Sequence, residues 1–178
     1  MTSDFNNLIT LYKLTKIKPN LLPLVTEIYR EAVRQINNLE SSFKWDYWTT
    51  VSSRGLSYRA GRIGMLEAQR YFLNDAHNVL DHNSKFHLKC FEPNFGYFIT
   101  QLTHVLEKWY LEDLPLRQFE KTIVKYPLIW KELKALIEQS GVQNILKEDI
   151  KRIERRMAKI DQSMEHSKKE EGIEFERD

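Results

Sequence analysis

Between Phe43 and Phe72 the chain sets Lys44, Arg54, Arg59, Arg62 and Arg70 against only Asp46 and Glu67, a net charge of +3. Trp45, Tyr47, Trp48, Tyr58 and Tyr71 are interleaved with them. A guanidinium pairs bidentately with phosphate oxygens and an aromatic face stacks on an unpaired base, so this mixture suits RNA or single-stranded DNA held without sequence preference. Trp45, Trp48, Arg54, Tyr58, Arg59 and Arg62 are therefore the candidate nucleic-acid-binding residues. Gly55, Gly61 and Gly64 add positions at which a backbone can approach a phosphate. The competing reading is structural, with the tryptophans in a core and the arginines in surface ion pairs. The glycines match neither the dinucleotide fingerprint nor the P-loop, so no nucleotide cofactor is expected.

A second constellation is Arg70 and His77, seven positions apart and so almost two helical turns along one face. Histidine titrates near neutrality and can exchange protons with a hydroxyl or a leaving group, while arginine stabilises phosphate charge. The pair resembles the Arg-x4–6-His motif of HEPN domains, a helical family with many metal-independent ribonucleases acting at a homodimer interface. The resemblance covers the motif and the all-helical class, and it implies Arg70 and His77 as catalytic residues of an alternative, ribonuclease reading. Asp75, His77, Asp81, His82, His87 and Cys90 also crowd six potential ligands together, but the histidine spacing of five leaves one helical face. No paired ligand motif occurs, and no metal site is expected.

The third feature is a seam. Leu146, Ile150, Ile153, Met157, Ile160 and Met164 follow one another at spacings of four and three, the a/d repeat of a coiled coil, flanked almost wholly by charge. A helix apolar on so narrow a stripe gains most from another helix, so these six residues are candidate partner-binding positions, toward a second copy or a partner protein. The alternative is that the segment folds back as the last helix of its own bundle.

The elements that must carry these residues are helical, because glycine and proline are few and fall between stretches of helical period. Helices are predicted over Phe5 to Ile17 and from Pro23 through Val25, Ile28, Ala32, Ile36 and Leu39. Another covers Met65 to Leu80, with Met65, Phe72 and Ala76 inward, and a fourth follows Pro93 with Asn94 as its cap. A stretch from Leu116 to Gln139 should be kinked or split at Pro127, and Gly141 should stop it. Ser41 to Gly64 reads as irregular or as short helical pieces. The expected fold is all-α: a single-domain bundle of five to six helices with a C-terminal coiled-coil-like helix. The expected divisions are a bundle over 1–141, an amphipathic helix over 142–166 and a disordered charged tail over 167–178.

Composition bounds the rest. The chain has 178 residues, enough for one core, and its net charge of +2 implies no strongly basic or acidic partner by itself. From Lys147 to Asp178 nine basic and ten acidic residues nearly cancel, so the tail is a poor nucleic-acid arm. No apolar run approaches a membrane span, Met1-Thr2-Ser3-Asp4 lacks a basic n-region followed by an apolar stretch, so no secretory targeting is expected, and a lone Cys90 forms no internal disulfide. A cytoplasmic protein is expected. The function these observations favour is a helical adaptor or accessory subunit that mediates protein assembly and binds RNA or single-stranded DNA.

Overall fold

The computed structural model describes residues 3–38, 45–81 and 91–177, with side chains for 4–38, 54–80 and 91–165. These residues form eight α-helices and no strand: α1 Ser3–Ile17, α2 Leu22–Asn37, α3 Trp45–Ile63, α4 Met65–Asp81, α5 Pro93–Lys108, α6 Leu116–Ile123, α7 Pro127–Gln139 and α8 Lys147–Arg177. The expected count of five to six is corrected to eight. Pro127 does split its stretch into α6 and α7, and within Ser41 to Gly64, expected to be irregular or short helical pieces, residues 45–63 form one continuous helix. Gly55 and Gly61 lie inside α3 at a cost of roughly 1 kcal/mol each relative to alanine, an amount that neighbouring helical turns outweigh. No helix of the described residues is long and apolar enough to cross a membrane. The chain divides into two compact units, Met1–Leu111 and Glu112–Asp178.

In the first unit the inner face of α1 is Phe5, Leu8 and Leu11, and Lys18 N–H closes the last turn on Leu14 O at 2.8 Å before Pro19 ends the helix. A short 3-10 turn at Pro19–Leu21 leads straight into α2, whose Val25, Ile28, Ala32, Val33 and Ile36 are buried at helical spacing. Tyr29 is fully buried among them, and its hydroxyl donates to Leu8 O of α1. Removal from water pushes this phenol far above its ordinary pKa, against a smaller lowering by the Arg70 charge. Leu39, expected on the same face, lies outside the described residues.

Gly64, at φ +100°, separates α3 from α4 and resets the phase of the inner stripe. Leu66, Ala68, Phe72, Leu73, Ala76 and Leu80 are buried, whereas Met65, expected inward, is exposed. Pro93 opens α5 as anticipated, but Asn94 does not cap it. The N-cap position is Glu92, whose N–H donates to the buried Gln35 Oε1 of α2 at 3.0 Å. A side chain from another helix thus satisfies a donor that the helix start cannot. Where α1 crosses α5, a Cβ on Gly96 would stand 3.0 Å from Asp4 Oδ1, and Asn7 Nδ2 donates to Thr100 Oγ1 at 3.0 Å. α5 ends at Trp109, a non-glycine residue at φ 58°, with Lys18 Nζ 3.5 Å from the centroid of its ring. His104, within this helix, is exposed.

In the second unit, Leu116, Phe119 and Ile123 of α6 and Ile129, Trp130, Leu133, Leu136 and Ile137 of α7 supply the core. Gly141 stops the chain at φ +74°, as its position predicts. α8 then packs on α6 through the start of the seam, with Leu146 and Ile153 buried. Arg152 reaches Glu120 of α6 at 2.7 Å, and Lys134 of α7 pairs with Glu154. The backbone of α8 stays helical to Arg177, past Ser167 where the apolar pattern ends.

Candidate nucleic-acid interface

The arginine and tyrosine side chains of α3 and α4 converge because the two helices pack closely on either side of Gly64. On α3, Tyr58 and Arg62 are one turn apart, so Arg62 Nη1 donates to the Tyr58 hydroxyl at 2.8 Å with its guanidinium 5.7 Å from the ring centroid. Arg59 points toward α4, with its guanidinium carbon 5.1 Å from the Tyr71 centroid and an ion pair of 3.7 Å to Asp75. Arg70 lies 4.6 Å from the same Tyr71 centroid, and also 4.8 Å from the centroid of Tyr12 on α1. Lys16 Nζ completes the series 5.0 Å from Tyr12, whose hydroxyl donates to Glu67 Oε1 at 3.0 Å.

The result is an alternating ladder, Arg59, Tyr71, Arg70, Tyr12, Lys16, with Arg62 and Tyr58 beside it on the outer turns of α3. Stacking on tyrosine orients a guanidinium while leaving its N–H edges for other acceptors. Tyr58 is 66% exposed and Tyr71 38%, and Arg54, Arg59 and Arg62 all face solvent. The ion pair of Arg59 joins two half-exposed groups, a class of contact that contributes about 0–1 kcal/mol and exchanges readily for a phosphate. Arg70 is the interior rung, and its Nε is buried without a hydrogen-bond partner.

Of the six residues assigned from sequence, Arg54, Tyr58, Arg59 and Arg62 thus share the exposed part of α3. The backbone of Trp45 and Trp48 belongs to α3, but their side chains lie outside the described residues. Sequence reasoning missed Tyr12 and Lys16, which sit more than forty residues upstream of the ladder's other members in the chain, and it did not include Tyr71 among the site residues. The cue available for the first two was their spacing of four on the outer face of α1.

Arg70 and His77 take different environments. His77 is 7% exposed and its ring packs 4.9 Å from that of Phe5, with Phe5 in turn 5.6 Å from Phe91. An imidazole so placed is part of the α1–α4 core, and the ladder that holds Arg70 does not include it. Of the other candidate ligands, Asp75 pairs with Arg59, while His82, His87, Cys90 and the Asp81 side chain lie outside the described residues. No group of three or more metal-ligating side chains occurs among the described residues.

The seam divides at its middle. Leu146 and Ile153 are buried and Ile150 and Met157 half-buried, but Ile160 is 39% and Met164 56% exposed. No family model matches the chain, and no curated protein or solved structure is detectably similar to it.

Proposed function

We propose that this chain binds single-stranded nucleic acid, RNA or DNA, on the α3–α4 surface, and that it is an accessory or adaptor subunit that assembles through the far half of α8. The observation that carries the first part is the exposed guanidinium and tyrosine ladder. It offers N–H edges that meet phosphates, and beside it the exposed Tyr58 ring on which a base can stack, with no pattern of fixed acceptors that would read a sequence. The second part is supported by Ile160 and Met164, apolar residues of a regular a/d series left uncovered beyond the packed portion of the helix. The burial of His77 favours binding over phosphodiester cleavage.

The test is the mobility of a labelled single strand against protein concentration at several salt concentrations. Single-strand affinity should fall on a log–log plot with a slope of about 0.7 for each phosphate contact. Changing Arg59 and Arg62 together to alanine should reduce that slope by about 1.4, since two contacts are removed. Binding that is absent, or a slope that the double substitution leaves unchanged, would reject the assignment. Metal-independent cleavage abolished by His77→Ala would instead revive the ribonuclease reading.

A further inference from the structure

The second unit contains a cleft of about 390 Å³ formed by Glu120 of α6 and Glu148, Arg152, Arg155, Arg156 and Lys159 of α8. Positions 148, 152, 155, 156 and 159 recur at three and four, so one face of α8 delivers all five side chains to the same concavity. That face lies beside the apolar seam, not on it, and its lining carries a net charge of +2.

Glu120 organises the cleft. It accepts from Arg152 Nε at 2.7 Å and from Arg156 Nη1 at 3.3 Å, while Arg152 Nη2 donates to Asp149 at 2.7 Å. Arg152 has thereby engaged two of the five N–H donors of a guanidinium and Arg156 one, so both are oriented and both keep donors to spare. Arg155 and Lys159 have no ion pair or hydrogen bond among the described residues. Two oriented guanidiniums, and a third guanidinium and an ammonium without partners among the described residues, surround a space walled by charged residues.

We propose that this cleft is a phosphate-binding site for a multiply charged phosphoryl group, either of a free oligophosphate or of the terminal phosphate of a strand. A phosphoryl group presents three acceptor oxygens and up to two charges, which match two unpartnered cations and the spare edges of Arg152 and Arg156. Every lining residue is charged, and the excess of positive charge selects an anion over a metal cation. The site is in a different unit from the α3–α4 ladder, and it stands or falls independently of it.

The experiment is calorimetric titration of the full chain with pyrophosphate at fixed ionic strength, beside a 5′-phosphorylated oligonucleotide and its 5′-hydroxyl counterpart. Saturable binding of one pyrophosphate per chain is expected. The exposed pair Arg155→Ala and Lys159→Ala should weaken it by about tenfold or more, whereas Arg59→Ala with Arg62→Ala should leave it unchanged. A 5′-phosphate that adds affinity sensitive to Arg155 and Lys159 identifies a strand end as the source; pyrophosphate binding without that increment identifies a free oligophosphate. The proposal is overturned if pyrophosphate does not bind or if the Arg155/Lys159 variant binds it unaltered. A glutamate-rich peptide matching pyrophosphate in affinity would equally overturn it.

Discussion

Asp4 shows how one side chain can set a pH response. Its carboxyl is half-buried against Gly96, and loss of hydration raises its pKa above the ordinary 3.8. A group whose folded pKa is raised contributes stability below its unfolded pKa and loses that contribution as pH rises through the folded value. Asp4→Asn should therefore raise the melting temperature at neutral pH and flatten its rise on acidification; a melting temperature unchanged at neutral pH would show that Asp4 ionises there without cost. Trp109 is the complementary case, a bulky residue held at φ 58° where the left-handed region costs an L-residue about 1–2 kcal/mol. Comparing Trp109→Gly with Trp109→Ala removes the same indole and its contact with Lys18 in both, so the glycine variant should be the more stable by about 1 kcal/mol in denaturant unfolding. Neither property was legible in the sequence, because Asp4 acquires its environment from α5 and Trp109 ends a run whose period would let the helix continue.

At the scale of elements, α8 is the informative case. Its a/d series is regular for six positions, yet the protein uses that series twice: Leu146 and Ile153 close the core of their own unit, and Ile160 and Met164 remain exposed. Spacing alone could not divide the seam, since it records which residues share a stripe and not how far the neighbouring helices extend along it. Replacing Ile160 and Met164 together by serine should leave melting nearly unchanged while reducing the particle mass measured by light scattering at high protein concentration. A mass that stays the same in the variant would exclude assembly through this stripe. The misjudged stretch over 45–63 has a related cause: two glycines, several β-branched residues and aromatics read as interruptions, while the helix is held by the packing of α3 on α4.

Across the whole molecule, the division at Leu111 and Glu112 predicts two sets of cooperative behaviour. Ile153 is fully buried, and Ile153→Ala should cost about 2–5 kcal/mol. Amide exchange should then accelerate through α6, α7 and α8 and stay as slow as before in α1, α2, α4 and α5. Uniform acceleration would show that the chain unfolds as one body. The amino-acid sequence by itself determined the helical class, the positions of α1, α2, α4 and α5, the break at Pro127, the left-handed stop at Gly141 and the composition of the basic aromatic stretch. Those properties follow from local rules, the 3.6-residue period of apolar side chains and the backbone constraints of proline and glycine, which act within a few residues of themselves. Tertiary structure alone decided that Tyr12 would meet Arg70, that His77 would pack on Phe5, and that Glu120 would gather Arg152 and Arg156 into a cationic cleft. Each of those meetings joins side chains from different helices, and a helix carries in its own period no record of which neighbour covers it.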